Sequence, residues 1–214
     1  MKAGRGLALA ALAASTMALQ GCLPIAAIGA AGTAVVMMGD RRTSGTQIED
    51  QGIEIRTAAR INERFGEVAH VNVTAFNRAV LLSGEAPDAR VKAEIESIAA
   101  AVQNVRRVTN EIEIGNPSAR SARSNDAFIT GKVQGRFLDG SKFNPLHIKV
   151  VTEGSVVYLM GIVTEQEAAD AVEIARTTAG VRKVVKIFEY CQPTDEICRP
   201  PEKPAAGPAK RSSG

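Results

Sequence analysis

The sequence predicts an α+β protein made of two tandem copies of one α-β-β-α-β unit. Each copy is expected to form a three-stranded mixed sheet with two helices on one face. The first observation is that the same order of apolar periodicities occurs in residues 46–115 and again in residues 124–190. The second is that short stretches match at corresponding places: Leu82-Ser83-Gly84 with Leu159-Met160-Gly161, and Asn104–Val108 with Gly180–Val184.

The elements of the first copy follow from its apolar spacing. A weak helical period covers Ile53–Arg64, and Val71–Thr74 and Ala79–Gly84 read as two short strands joined as a hairpin. Pro87-Asp88 then begins a second helix, and Val105–Ile114 closes the unit as a strand. The core face of this second helix carries Val91, Ile95, Ile98 and Val102.

The second copy repeats this order. Asn125-Asp126 is predicted to cap a helix, two strands follow at Ile148–Thr152 and Val156–Gly161, Thr164 caps the next helix, and Val184–Tyr190 is the last strand. The two helices turn Ile129, Val133, Phe137, Ala168, Val172 and Ala175 toward the core. In each copy a helix connects the second and third strands, so these strands are expected to be parallel, with a right-handed crossover.

The N-terminus has the pattern of a bacterial lipoprotein signal. Positive residues precede an uncharged apolar stretch over residues 6–19, and Leu19-Gln20-Gly21-Cys22 fits a cleavage site that leaves a lipidated cysteine. We therefore expect a signal peptide over residues 1–21 and a lipidated Cys22, followed by a linker to residue 45. Because Leu23 rather than aspartate follows Cys22, the expected location is the outer membrane, facing the periplasm.

A second interpretation of the N-terminus is a transmembrane anchor. Residues 6–39 are apolar for most of their length and could form one long hydrophobic block. The apolar stretch ahead of Cys22 is too short to span a bilayer, which needs roughly 20 residues. Pro24, Gly29 and Gly32 interrupt the stretch that follows, which favours the lipoprotein.

The charge distribution argues against a nucleic-acid binder. The chain of 214 residues has a net charge of +3, but residues 46–115 contain 8 Lys and Arg against 11 Asp and Glu, and residues 124–190 contain 8 of each. The excess positive charge therefore lies in the leader, the linkers and the tail. A nucleic-acid binder would place it on the folded part.

The remaining cysteines and the histidines suggest a disulfide and no metal site. Cys191 and Cys198 form an even pair that could close a short loop in an oxidising compartment, with two free thiols as the alternative. They begin a segment, residues 191–214, that is Pro-rich and expected to be disordered; a second linker is expected at residues 116–123. His70 and His147 are far apart in sequence and lack neighbouring ligands, so no metal or other cofactor is predicted.

Catalytic motifs are also missing from the sequence. It contains no Gly-x-Ser-x-Gly, His-Glu-x-x-His or phosphate-binding loop. The paired acids Glu165 and Glu167 lie at a predicted helix N-terminus, where they favour the macrodipole. We therefore expect that the protein is not an enzyme.

The element order, the strand ending in Leu-x-Gly and the Gly-Val-Arg-Lys-Val stretch resemble the BON-domain family. Ser44–Asp50, Ser124-Asn125-Asp126 and Leu159–Glu165, together with the cleavage site, resemble its lipoproteins with two such domains, and the resemblance covers Leu19 to about Tyr190. It implies a periplasmic, non-enzymatic protein whose second domain binds anionic phospholipids such as phosphatidylglycerol and cardiolipin. It also implies a role in outer-membrane integrity and in supporting the β-barrel assembly machinery.

The first helix of the second copy is where we expect the lipid contact. Phe128 lies off the core stripe with Lys132 near it, and Arg136 lies between this flank and the core side. An aromatic ring flanked by cations suits insertion at a membrane surface. Arg182 and Lys183 form a second basic cluster, which we include among the candidate phospholipid-binding residues.

Two alternatives to lipid binding remain open. In one, Phe128 packs on the other domain of the chain. In the other, the protein is a periplasmic adaptor, and Phe128 together with an exposed sheet face docks a partner from the β-barrel assembly or envelope-stress machinery.

Overall fold

The computed structural model describes residues 39–199, which form two α-β-β-α-β domains in chain order. Cys22, the signal segment and the tail from residue 200 lie outside the described residues. The first domain contains α1 (Ser44–Phe65), β1 (His70–Phe76), β2 (Ala79–Ala86), α2 (Ala89–Ala100), β3 (Arg107–Asn110) and β4 (Glu113–Ile114). The second contains α3 (Arg120–Gly140), a 3-10 turn (Pro145–His147), β5 (Ile148–Glu153), β6 (Val156–Val163), α4 (Glu165–Arg176) and β7 (Lys183–Tyr190), and a 3-10 turn (Glu196–Cys198) follows.

The strand pairing confirms the predicted fold class and topology. In both domains the first two strands pair antiparallel and the strand after the second helix pairs parallel to the central strand. The closing strand of the first domain differs in one respect, because it is divided into β3 and β4, which both pair with β2. Between them Ile112 turns into the core, and its carbonyl accepts a hydrogen bond from Lys92 at 2.6 Å.

Each domain has its own aliphatic core between its helices and one sheet face. The predicted core residues of α3, which are Ile129, Val133 and Phe137, are buried as expected. The predicted helix cap at Thr164 is also confirmed, since its side chain accepts a backbone N–H of the first turn. Asp88, at the predicted start of the second helix of the first domain, caps α2 in the same way. Within the described residues, no helix combines the length and apolarity needed to cross a membrane.

Both N-terminal helices begin earlier than their apolar period indicates. Helix α1 begins at Ser44, where the Thr43 hydroxyl accepts the Thr46 N–H at 3.1 Å. Helix α3 begins at Arg120, so its first turn lies in the segment assigned to the linker at 116–123. The predicted cap at Asn125-Asp126 is therefore wrong, because both residues lie inside the helix.

Asp126 has a different role, which the first domain repeats with Asp50. The buried Asp126 carboxylate accepts the backbone N–H groups of Gly154 and Ser155, at 3.0 and 2.8 Å, in the turn between β5 and β6. Asp50 accepts the corresponding N–H groups of Asn77 and Arg78, at 2.8 and 2.7 Å. All four turn residues have positive φ, as in the tight hairpin turns that suit twisted strands. One carboxylate thus ties the first helix of each domain to its hairpin.

The sheet faces that the helices leave uncovered pack against each other. Phe76 and Leu81 of the first domain share one buried cluster with residues of β6 and β7 in the second. The members from the second domain are Val156, Tyr158, Met160, Ile162 and Ile187. The expectation of an exposed sheet face is therefore wrong, because these two faces cover one another.

Polar contacts surround this apolar interface between the domains. Lys149 donates to Glu54 at 2.8 Å, and Asn77 donates to Glu189 at 2.8 Å. The loop after β7 adds to the interface, since Cys191 and Cys198 form a disulfide and both are buried in the shared cluster. The first part of the segment expected to be disordered is therefore packed on the domains.

Residues 39–43 connect to the second domain before the chain enters the first. The Arg41 guanidinium makes two hydrogen bonds to the Glu167 carboxylate, at 2.7 and 3.0 Å, and a third to the Ile162 carbonyl at 2.8 Å. Burial alone would raise the pKa of Glu167, but the hydrogen bonds from Arg41 and Thr164 lower it to about 2. Glu167 also completes the capping box of α4, so it stabilises both the helix and this crossing segment.

The Arg41–Glu167 pair predicts a specific loss of stability in acid. Since the pKa of Glu167 falls from 4.5 to about 2 on folding, its contribution is complete above pH 4.5 and is lost as the pH falls toward 2. We expect Glu167→Gln to lower the free energy of unfolding at neutral pH by about 2 kcal/mol, through the lost charged hydrogen bonds. This difference from wild type should shrink below pH 4.5 in urea unfolding. Glu173→Gln on the same helix, at an exposed pair with Arg176, should change little. A difference that does not change with pH would contradict this role.

Candidate functional site

The outward face of α3 carries an exposed aromatic ring. Phe128 is 65% exposed, which rules out packing on the other domain within the described structure. Toward the C-terminus the same face continues through Gly131 and Gly135, where an added Cβ would meet no atom within 4 Å. Leu138, also largely exposed, lies one turn farther on. We call Phe128, Gly131, Gly135 and Leu138 the α3 face.

Lys132 lies beside the ring of Phe128. Its ammonium group is 4.8 Å from the ring centroid and also donates to the Ala179 carbonyl in the loop after α4. A cation above the face of an aromatic ring is attracted by the ring quadrupole. The structure therefore places an exposed apolar ring and a half-buried positive charge side by side on α3.

Arg136 is used differently. Its guanidinium donates to the Ile174 carbonyl at 2.7 Å and to the hydroxyls of Thr177 and Thr178 at 3.1 and 2.8 Å. These groups belong to the C-terminal end of α4, where a cation can donate to free carbonyl groups and is attracted by the negative end of the helix dipole. Arg136 thus joins α3 to α4, and we give it a structural role.

Arg182 and Lys183 lie apart from the α3 face. They line a cleft between the domains together with Glu111 and Glu113. The Arg182 guanidinium is 3.8 Å from the Glu113 carboxylate, and both side chains are exposed. Acidic groups of the first domain thus offset this basic cluster, so it is a poorer surface for an anion than the predicted charge run indicates.

Leu138 is the member of the α3 face that sequence reasoning missed. It directly follows the core residue Phe137 and lies ten positions after Phe128, which is about 15 Å along a helix. Asp139, next to it, is exposed and introduces a negative charge at this end. The positive end of the face is therefore the part around Phe128 and Lys132.

The equivalent helix of the first domain also exposes apolar side chains. If Asp50 and Asp126 are superposed, Gly52 corresponds to Phe128 and Arg56 to Lys132. Ile55 is 70% exposed, but Arg56 pairs with Glu49 at 2.7 Å. The first domain therefore has no exposed aromatic ring here, and its nearby cation is already neutralised.

Two tandem α-β-β-α-β domains, the second with an exposed aromatic ring and a neighbouring lysine on its first helix, place the chain among proteins built from repeated small α+β modules. A family model of the BON domain matches residues 53–116 and again residues 125–192. The chain belongs to the BON-domain family, which confirms the resemblance seen in the sequence.

The chain is also similar to named bacterial proteins. It is 33% identical over 184 residues to the outer membrane lipoprotein DolP of Haemophilus influenzae, which covers 85% of this chain and 95% of that protein. It is 34% identical over 155 residues to a 21 kDa hemolysin of Actinobacillus pleuropneumoniae, covering 72% and 80% of the two chains. Among solved structures, the C-terminal domain of CdsD, from the type III secretion system of Chlamydia trachomatis, is 11% identical with a TM-score of 0.28. That similarity covers 62% of this chain and 96% of the CdsD chain, and it bears on no functional point.

Proposed function

We propose that this protein is a non-enzymatic lipoprotein of the outer membrane, anchored through Cys22 and facing the periplasm, whose second BON domain binds anionic phospholipids. Through this contact it maintains the integrity of the outer membrane. The proposal is supported by the lipoprotein cleavage pattern ending at Cys22 and by the 33% identity to an outer membrane lipoprotein over most of both chains.

The observation that carries the lipid proposal is the exposed ring of Phe128 beside the half-buried Lys132. An aromatic ring can enter the boundary between headgroups and acyl chains while a neighbouring cation meets lipid phosphate. Gly131 and Gly135 keep the helix surface beside the ring flat. Each glycine costs a helix about 1 kcal/mol relative to alanine, and packing within the described structure does not require either. A flat backbone surface lets the helix approach a bilayer closely.

The lipid on Cys22 and the α3 face would act together. The lipid on Cys22 would hold the protein at the membrane, and the α3 face would add a second, weaker contact. Once the anchor holds the protein, the α3 face meets the bilayer at high effective concentration, so even a weak contact is populated. Because that contact depends on anionic headgroups, it also makes attachment sensitive to lipid composition.

Changing Phe128 to glutamate should abolish binding to anionic vesicles. The protein starting at residue 39, which contains both domains but lacks the anchor, is expected to co-sediment with vesicles of phosphatidylglycerol or cardiolipin and poorly with phosphatidylcholine. Burying a phenylalanine side chain contributes about 1.5–3 kcal/mol, and an added negative charge opposes an anionic surface. We therefore expect Phe128→Glu to weaken binding at least tenfold.

Ile55→Glu is the matched control for this experiment. It places the same charge at an equally exposed apolar position on the corresponding helix of the first domain. It should leave vesicle binding unchanged. Normal binding by a folded Phe128→Glu protein, or equal losses in both variants, would overturn the assignment of lipid binding to the α3 face.

Of the two surfaces proposed for an adaptor, Phe128 and an exposed sheet face, only Phe128 is accessible to a partner in residues 39–199. The uncovered sheet faces bury each other within the described structure, which leaves helix faces such as the α3 face for a protein partner. Crosslinking in membranes distinguishes the two functions. An adaptor would lose a crosslinked envelope protein on Phe128→Glu while its binding to anionic vesicles stayed normal.

A further inference from the structure

Three potential metal ligands converge where the two domains meet. His70 of β1 and Glu85 of β2 are direct partners in the antiparallel register, and His70 Nδ1 is 3.1 Å from Glu85 Oε2. Glu153, the last residue of β5, approaches them from the second domain. One ligand atom from each residue lies within 4.8 Å of the other two.

The second domain is held at this point by one short hydrogen bond. Asn72 Nδ2, two residues along β1 from His70, donates to Glu153 Oε2 at 2.6 Å. Because side chains two apart on a strand share a face, His70 and Asn72 both point toward Glu153. The position of Glu153 relative to His70 and Glu85 is therefore set by the packing of the two domains.

The cluster carries more negative than positive charge. Within residues 39–199, neither Glu85 nor Glu153 forms an ion pair with a lysine or arginine, and His70 is the only basic partner. Burial raises the pKa of Glu153, and the negative charges of Glu85 and Asp126 raise it further. The hydrogen bond from Asn72 opposes this shift without cancelling it. A bound cation would offset this charge.

A cavity of about 470 Å³ opens beside the cluster. His70 and Glu153 line it together with Asn72, Asp126, Thr130 and the exposed side chain of Arg123, which forms no ion pair with Glu85 or Glu153 within the described residues. It offers an ion a route from solvent and room for water molecules to complete its coordination. The site would thus have three protein ligands and an open position, as zinc sites with bound water do.

We propose that His70, Glu85 and Glu153 bind one divalent transition-metal ion, of which zinc fits best, and that this ion links the two domains. One imidazole nitrogen and two carboxylate oxygens suit a borderline cation such as zinc better than magnesium or calcium, which prefer oxygen ligands alone. Two ligands of a tetrahedral zinc ion are roughly 3.4 Å apart. The distances between the three ligand atoms, at most 4.8 Å, therefore need to shorten by no more than about 1.4 Å, a movement that side-chain rotation can provide. This site is separate from the α3 face and does not depend on lipid binding.

Zinc titration of the protein starting at residue 39 tests the proposal. This protein lacks Cys22, and its two remaining cysteines are bonded to each other, so no thiol competes. Calorimetry should show one zinc ion per chain, and the unfolding temperature should rise with zinc concentration because the ion binds only the folded state. His70→Gln and Glu153→Gln should each weaken zinc binding at least tenfold. Magnesium at the same concentration should produce no comparable shift.

His147→Gln is the matched control, since His147 is the other histidine of the chain and also faces a glutamate, Glu167 at 3.3 Å. It should leave zinc binding unchanged. Imidazole NMR signals of the unaltered protein give a readout that does not depend on any variant folding: zinc should shift the signals of His70 and not those of His147. Absence of saturable zinc binding, equal binding of magnesium, or binding that survives in folded His70→Gln and Glu153→Gln proteins would overturn the proposal.

Discussion

Replacing Asp126 with alanine is expected to destabilise the second domain by about 3 kcal/mol, a change of roughly a hundredfold in the ratio of folded to unfolded protein. The buried carboxylate accepts two backbone N–H groups from the β5–β6 turn. Without it, both N–H groups lose their partner. Ser155, with φ of 62°, also loses the contact that offsets its left-handed conformation. Urea unfolding followed by far-UV circular dichroism measures the loss.

Two further variants separate this role from a general effect of removing charge. Asp139→Ala removes an exposed aspartate from the same helix and should change stability by less than about 0.5 kcal/mol. Asp126→Asn keeps one acceptor oxygen and should recover part of the loss. Asp50→Ala should behave like Asp126→Ala in the first domain, because Asp50 makes the same two turn contacts. Equal stability of Asp126→Ala and Asp139→Ala would show that the turn contact is unimportant.

Changing Leu81 to aspartate is expected to separate the two domains. Leu81 is fully buried in the predominantly apolar cluster shared by the two sheets. Burying an unpaired charge is costly enough that the interface should open and admit water. We expect a loss of about 4 kcal/mol in the free energy of unfolding and an increase in the radius of gyration measured by small-angle X-ray scattering.

The neighbouring residue provides a matched comparison. Leu82 is equally buried but faces the core of the first domain, because successive residues of a strand point to opposite sides. Leu82→Asp should therefore unfold the first domain and lower its helix content. Leu81→Asp should preserve the helix content and change the arrangement of the domains. A Leu81→Asp protein as compact as wild type would contradict the sheet-to-sheet interface.

The repeat made most of the architecture predictable. Period-2 and period-3.6 patterns identify strands and helices because the buried face of each element must be apolar. The helix boundaries were less predictable where apolar residues are sparse. The first turns of α1 and α3 consist mostly of polar residues and therefore lack the apolar period. Of the candidate lipid residues, Phe128 and Lys132 could be placed together off the core stripe of α3 by helical angle alone. The hydrogen bonds from Arg136 to the end of α4 could not be predicted in this way, because contacts between two helices do not follow from residue spacing within one helix.

The continuous apolar run of β6 is visible in the sequence, but only the folded structure shows which surface covers it. Strand β6 is apolar without alternation, and every one of its residues is buried. Such a run is typical of a strand covered on both faces. The helices of its own domain cover one face, so the run already required a second covering surface. The pattern could not say that this surface is the sheet of the first domain.

The sequence by itself determined the two-domain α+β class, the order of the elements, the core faces and the position of Phe128 off the core stripe of its helix. Each of these depends on residues close together in the chain, where regular backbone geometry converts spacing into direction. The tertiary structure alone decided that the sheets cover each other, that Asp126 binds a hairpin turn, and that Glu153 reaches the side chains of β1 across 81 residues of sequence. These contacts depend on which surfaces meet, and apolar patterning marks a face as buried without identifying what buries it.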